Sequence, residues 1–255
     1  MGRLFAVLTL TAGLVFAQAG FDVASIKPSD PSSHGMNVGI SPSGSFRASG
    51  VTLMLLIQQA YDVRGFQVSG GPGWLTTERY DILTKNESAG PTQADLIRMN
   101  DAQRNEFRTV MMTRLRALIE DRFQLKFHRE TKEMQIYGLL VAKGGPKLQP
   151  MEAGGRDSSL SVSRNDDANM RVAAKGLPMA NLVRYLSDQS GRQVIDETGL
   201  TGKYDFQFAF APDLGDATGP SLFTAIQQEL GLRLESKKGP VEVIVIDNVE
   251  KPSAN

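Results

Sequence analysis

The chain has 255 residues, with 28 Lys+Arg against 28 Asp+Glu, two His, one Trp and no Cys, and 41% of its residues are hydrophobic. That is a globular composition, and a chain of this length builds a core without covalent staples. The lack of Cys excludes disulfides, thiolate nucleophiles, Cys-ligated zinc and iron–sulfur clusters, and zero formal charge argues against nucleic acid as a partner.

Arg3 precedes the apolar run Leu4–Ala17, and Ala17-Gln18-Ala19 follows as an A-x-A site. This is the layout of a secretory signal peptide, and the run is shorter than the ~20 residues a spanning helix needs. Cleavage is expected after Ala19, with Ala17 and Ala19 as the cleavage-site residues. The product is expected to be periplasmic or secreted, with no transmembrane anchor after cleavage.

In chain order, Phe21–Ile26 and Phe46–Ala48 read as strands. Leu53, Leu56, Ile57, Ala60 and Tyr61 form a helical stripe with Thr52 as N-cap. Strands Phe66–Ser69 and Arg79–Thr84 follow, and then Asn86–Asn100, with Gly90-Pro91, reads as an inserted loop or short helix. A longer helix carries Phe107, Val110, Met111, Leu115, Leu118, Ile119 and Phe123 and is opened by Asp101. Strands are expected at Gln124–Arg129 and Gln135–Val141. Pro178 suits a first helical turn before Met179, Leu182, Val183 and Leu186. Strands Arg192–Ile195 and Tyr204–Phe210 lead to a helix through Leu222, Ala225, Ile226 and Leu230, which Gly231 ends. Arg233–Glu235 and Val241–Ile246 read as the last strands.

The chain also matches itself. Sliding Gly50–Gly73 by 126 positions onto Gly176–Gly199 superposes Gly50/Gly176, Leu56/Leu182, Asp62/Asp188, Gly65/Gly191, Gln67/Gln193, Val68/Val194 and Gly73/Gly199. Tyr80-Asp81 meets Tyr204-Asp205 after a two-residue slip, and Leu115, Ile119 and Leu125 fall on Leu222, Ile226 and Leu232. Self-similarity of this kind marks a repeated structural unit. The expected architecture is α+β and internally duplicated, each half βαββ plus αββ, with amphipathic helices on small, mostly antiparallel sheets. The expected organisation is a signal peptide at 1–19, a first repeat domain at 20–150 and a second at 151–255.

Two resemblances accompany this pattern. Ser187-Asp188-Gln189-Ser190-Gly191-Arg192-Gln193-Val194 and Gln228-Glu229-Leu230-Gly231-Leu232-Arg233-Leu234 resemble the short N-terminal domain of secretins and TonB-dependent receptors, which implies periplasmic docking. Over nearly the whole mature length the chain resembles an exported family of unknown function abundant in soil acidobacteria. The residues carrying that likeness are Phe21-Asp22-Val23-Ala24-Ser25-Ile26-Lys27-Pro28, Gly70-Gly71-Pro72-Gly73-Trp74, Asp121-Arg122-Phe123, His128-Arg129-Glu130, Thr198–Phe206 and Val245–Pro252. Some relatives there are joined to a membrane peptidase of the antibiotic-sensor type, which implies extracytoplasmic sensing.

Few motifs point to chemistry. His128-Arg129-Glu130 has the His-to-Glu spacing of zinc deaminases, but their cysteine ligands are impossible here. On a strand, Leu125 and Phe127 face one way and Lys126, His128 and Glu130 the other, as on a half-solvated sheet. His34 sits in a Pro-Ser-Ser-His-Gly loop, and two His without ligand spacing give no metal site and no cofactor. Ser69–Trp74 reads as a tight turn, with Trp74 in the slot of Leu200 as a core anchor or, alternatively, an exposed aromatic contact. Glu120-Asp121 and Asp166-Asp167 are adjacent and do not face each other as a dyad would. No catalytic residue is assigned. The candidate interface residues are Trp74, Arg122, His128, Arg129 and Glu130. The function expected is a non-enzymatic binding or sensing module that recognises a protein segment or envelope component through a strand edge or cleft. The alternatives are an exported hydrolase with spatially assembled carboxylates and a structural envelope protein.

Overall fold

The computed structural model describes residues 20–21, 23–33, 35–85, 91–151, 158–165, 167–212 and 218–252. The expected signal segment with Ala17 and Ala19, His34, Asp166 and residues 86–90 lie outside the described residues. The chain divides into two compact units: residues 1–62, 71–127 and 246–255 form one, and residues 63–70 and 128–245 the other. This spatial grouping is drawn from contacts, whereas the repeat domains expected from the sequence rest on self-similarity, and the two partitions describe different things.

The elements run β1 (Val23–Pro28), β2 (Asn37–Ile40), β3 (Phe46–Thr52), α1 (Leu53–Tyr61), a 3-10 turn at Gly65–Gln67, β4 (Val68–Gly70), α2 (Trp74–Thr77) and β5 (Arg79–Lys85). Then come α3 (Gln93–Arg98), α4 (Asp101–Arg122), β6 (Lys126–Val141), β7 (Gln149–Pro150), β8 (Ser159–Arg164) and β9 (Met170–Pro178). The chain continues through α5 (Met179–Ser190), β10 (Val194–Asp196), β11 (Lys203–Phe210), α6 (Leu222–Ala225) with a π-turn at Ile226–Leu230, and β12 (Leu232–Asn248). Small sheets with helices laid on them make this an α+β protein.

In the first unit the sheet order is β1-β5-β3-β2, antiparallel throughout. Along β5 the alternation is strict: Tyr80, Ile82 and Thr84 are buried, while Arg79, Asp81, Leu83 and Lys85 are exposed. Thr84 is tolerated inside because its hydroxyl accepts from the Phe46 amide at 2.7 Å and donates to the Phe46 carbonyl at 3.3 Å. Helix α1 starts where Thr52 Oγ1 accepts from the Leu55 amide, as the sequence predicts, and all five residues of its apolar stripe are buried. It packs against α4, where Met111, Leu115, Leu118, Ile119 and Phe123 are buried but Val110 is exposed. The cap of α4 is Asn100, in a reciprocal box with Gln103, and Asp101 is the first helical residue. The inserted segment contains the short helix α3, capped by Thr92 and Asp95.

The second unit holds two sheets, ordered β7-β11-β9-β8 and β10-β6-β12-β4. The pair β10–β6 is parallel, and β9 pairs antiparallel with both β11 and β8. Leu177, Leu182, Leu186, Phe208, Ala225, Ile226 and Leu230 centre its core. Each of the fully buried leucine, isoleucine and phenylalanine side chains among them contributes roughly 1.5–3 kcal/mol. Pro178 is the residue before α5, in extended conformation, one position earlier than the sequence suggests. Gly231 ends the π-turn at φ 63°, and the Lys147 amide and ammonium accept the role of closing it by donating to Leu230 O and Gln228 O.

The sheet β1-β5-β3-β2 and the sheet β7-β11-β9-β8 share one plan, in which a strand ending in a bend at a positive-φ glycine leads directly into a helix. Gly50 (φ 65°) and Gly176 (φ 54°) occupy that bend, next to register shifts in β3/β5 and β9/β11. The Gly50 amide donates to Asp81 Oδ1 at 2.9 Å, and the Gly176 amide donates to Asp205 Oδ1 at 2.6 Å. The outer strands match too: Asn37 pairs with Ser49 and Ser159 with Lys175, where 49 and 175 are again 126 apart.

Several expectations need correction. Gln124–Arg129 and Gln135–Val141 belong largely to one strand, β6, because Glu130–Met134 offers no Gly, Pro, Asn or Asp to turn on. Likewise β12 runs through Gly239-Pro240. A Cβ on Gly239 would lie 2.6 Å from Ile136 Cδ1, so this glycine marks close packing and not a turn. Phe66 and Gln67 belong to the 3-10 turn, and only Val68 onward is strand.

Candidate functional site

Edge strands are where a sheet offers unpaired backbone donors and acceptors to another chain. In β8, Ser-Leu-Ser-Val-Ser-Arg alternates strictly, so Leu160 and Val162 share one face and Ser159, Ser161 and Ser163 the other. The strand pairs with β9 on one side and ends the sheet on the other, with no strand partner there among the described residues. All six of its residues are exposed.

Register shows what the edge presents. Leu160 stands opposite Ala174 and Val162 opposite Val172, both of which belong to the core. One strand further in, Phe206 opposes Ala174 and Phe208 opposes Val172. Leu160 and Val162, 38% and 42% exposed, thus continue the apolar layer of the core out to the rim of the sheet. On the other face, Ser159 stands beside Lys175 and Ser163 beside Arg171, whose guanidinium reaches Gln207 Oε1 only at 3.5 Å. Within Ser159–Ser163 the edge carries no charge, no Pro and no bulge among the described residues, and the strand's one charge, Arg164, stands at its end on the face of Leu160 and Val162. The corresponding edge β2 is shorter, at four residues, and its apolar Val38 and Ile40 are half-buried.

The residues singled out from sequence do not form one site. Trp74 opens the short helix α2 and is half-buried, while its neighbour Leu75 is the core anchor at 2% exposure. One turn of helix places position 75 inward and leaves the indole beside Lys251, whose ammonium is 5.9 Å from the ring centroid. Lys251 also pairs with Glu78, which keeps that carboxyl below its usual range, and Tyr80 donates to Glu78 at 3.0 Å. Arg122 closes α4 and donates to the Ala24 carbonyl at 3.2 Å, a structural tie. His128 is exposed and lies 2.9 Å from Glu130 Oε1. That hydrogen bond, with help from Lys132, holds the Glu130 carboxyl low. Arg129 points to the other face and pairs with Glu242 on β12. These are ion pairs of a solvated sheet, worth little individually.

Among the described residues, no group of three or more His, Cys, Asp or Glu is placed to hold a metal. Among the described residues, the carboxylates with a resolved shift, Asp30, Glu78, Asp95 and Glu130, are all lowered, opposite to what a general acid needs. No helix among the described residues is long and apolar enough to cross a membrane. The β8 edge was not found from sequence, because two apolar residues among serines give too short an alternation to register as a strand.

No curated protein and no solved structure matches the chain. A family model described as "Protein of unknown function (DUF3738)" matches residues 54–249, and the chain belongs to that family.

Proposed function

We propose that this protein is an exported, non-enzymatic binding module, built from two copies of one α+β unit, that takes up an extended segment of an envelope protein at the edge of β8. The observation that carries the reading is the exposed edge itself, with Leu160 and Val162 extending the apolar core layer outward. A partner strand added there gains main-chain hydrogen bonds, and its alternate residues cover Leu160 and Val162. The shared plan of the two small sheets, with its paired Gly–Asp hydrogen bonds, supports the duplication. The Arg3, Leu4–Ala17 and Ala17-Gln18-Ala19 pattern supports export.

A photo-crosslinking residue at position 161, with one at position 37 in β2 as control, tests this in envelope extract. The expected result is a saturable polypeptide adduct at 161 only, lost in the Leu160→Lys, Val162→Lys double variant. An adduct that survives the double variant, or none that saturates, overturns the reading.

A further inference from the structure

The outward face of the sheet β1-β5-β3-β2 is basic on a chain whose formal charge is zero. Alternation and register assign its side chains. Ser25 and Lys27 come from β1, Arg47 and Ser49 from β3, and Arg79, Asp81, Leu83 and Lys85 from β5. Four cations therefore share the face with one carboxylate. Asp81 is already engaged, its Oδ1 accepting from Ser29 Oγ at 2.7 Å and from the Gly50 amide at 2.9 Å.

Elsewhere several cations are paired, among them Arg64 with Asp188 at 2.9 Å, Arg129 with Glu242 and Lys251 with Glu78. Among the described residues Lys27, Arg47, Arg79 and Lys85 form no ion pair, even though Lys27 opposes Asp81 in register. A shallow depression of about 340 Å³ lies on this face, lined by Ser25, Lys27, Arg47, Ser49, Asp81 and Leu83 among others. In it, Leu83 is flanked by Ser25 on one side and Arg47 on the other, with Lys27 diagonal to it. Lys27 and Arg47 stand on strands two apart, roughly 10 Å across the sheet, and are offset by two residues, roughly 7 Å, along it, a gap their long side chains can close over one anion. Outward positions of β1, β3 and β5 hold no aromatic side chain, so none among these described residues stacks a base or a sugar ring.

We propose that this depression is a binding site for a phosphate group, clasped by Lys27 and Arg47 with the Ser25 and Ser49 hydroxyls as neutral donors. Arg and Lys beside hydroxyls supply the charge-assisted hydrogen bonds that phosphate oxygens accept. The group is carried either by a free phosphate or by a lipid headgroup. The site lies in the unit that does not contain β8 and stands independently of the strand-edge reading.

The test has two arms on the full chain. In one, inorganic phosphate is titrated and the amides of β1, β3 and β5 are followed by NMR; in the other, sedimentation is measured with phosphatidylglycerol vesicles against phosphatidylcholine vesicles. Lys27→Gln with Arg47→Gln is the test variant, and Arg98→Gln with Arg108→Gln, two exposed cations on α3 and α4, controls for loss of the same charge. Saturable shifts confined to this sheet, weakened about tenfold or more by the test variant and unchanged by the control, support the site with free phosphate as ligand; a tenfold change is ~1.4 kcal/mol. Sedimentation only with the anionic vesicles, with the same variant dependence, supports the headgroup. No binding in either arm, or binding that falls equally in test and control variants, overturns the site.

Discussion

The carboxylate of Asp205 accepts a hydrogen bond from the backbone amide of Gly176 at 2.6 Å. At a bulge the extra residue is left unpaired by the ladder, and here the side chain of the neighbouring strand provides the acceptor. A charged hydrogen bond in a partly buried position is worth about 1.5–3 kcal/mol. Asp205→Ala is expected to lower the free energy of unfolding by that order, and Asp205→Asn by less. Urea denaturation reads both, and an unchanged midpoint in the alanine variant would remove the bond from the list of stabilising contacts.

Gly50 adopts φ 65°, and a Cβ there would sit 2.3 Å from the Gly35 carbonyl oxygen. Left-handed backbone alone costs a residue with a Cβ about 1–2 kcal/mol, and the clash adds to it. Gly50→Ala should therefore destabilise by more than 2 kcal/mol on that scale. Gly39→Ala, where a Cβ meets nothing within 4 Å, should be close to neutral in the same thermal melt.

Tyr185 is buried in the second unit, edge-on to Phe208, and its hydroxyl has no partner among the described residues. Burial pushes its pKa up to about 12 from 10. A raised folded-state value favours the neutral phenol in the fold, so this contribution is whole below pH 10 and fades as pH rises towards 12. Tyr185→Phe is expected to flatten the alkaline limb of the stability curve. Below it the variant should be about 1 kcal/mol more stable, because a buried unsatisfied group is removed. A less stable variant at neutral pH would show that the hydroxyl does have a partner.

On the acid side Glu130 acts in the opposite sense. Its folded-state pKa lies below 4.5, through His128 first and then Lys132. The stabilisation is present above 4.5 and disappears as pH falls through the lowered value. The pair is fully solvated, so Glu130→Gln should change the acid limb of the melting profile slightly, and added salt should erase the difference.

Leu75→Ala should cost about 2–5 kcal/mol as a core truncation, whereas Trp74→Ala should cost much less despite the larger side chain. The reverse order in a pair of denaturation curves would place the indole in the core.

Helix α1, with Thr52 and its apolar stripe, was legible in the sequence because local periodicity and a cap agree there. The same holds for β11, α5 and the turn at Gly231. Strands β2, β8 and β9 were not, since Asn37–Ile40 is too short and Met170–Pro178 contains Ala173-Ala174-Lys175-Gly176, which shows no clean alternation. The candidate residues Trp74, Arg122, His128, Arg129 and Glu130 were chosen for their chemistry. Which of them share a surface depends on pairings remote in sequence, such as Lys251 with Glu78 and Glu242 with Arg129.

The route of the chain bears on the order in which the protein can be completed. Residues 246–255 belong to the first unit, where the Glu250 amide donates to the Phe123 carbonyl at 2.7 Å and the Asn248 side chain to Gln124 O at 3.1 Å. During synthesis from the N-terminus, the second unit has all its residues once Val245 is made, while the unit begun first still lacks its final piece. A nascent chain stalled or clipped before Ile246 would therefore present a finished second unit and an unfinished first one. A protease or chaperone patrolling newly made chains would find its substrate at the front of the molecule, although the missing residues are at the back.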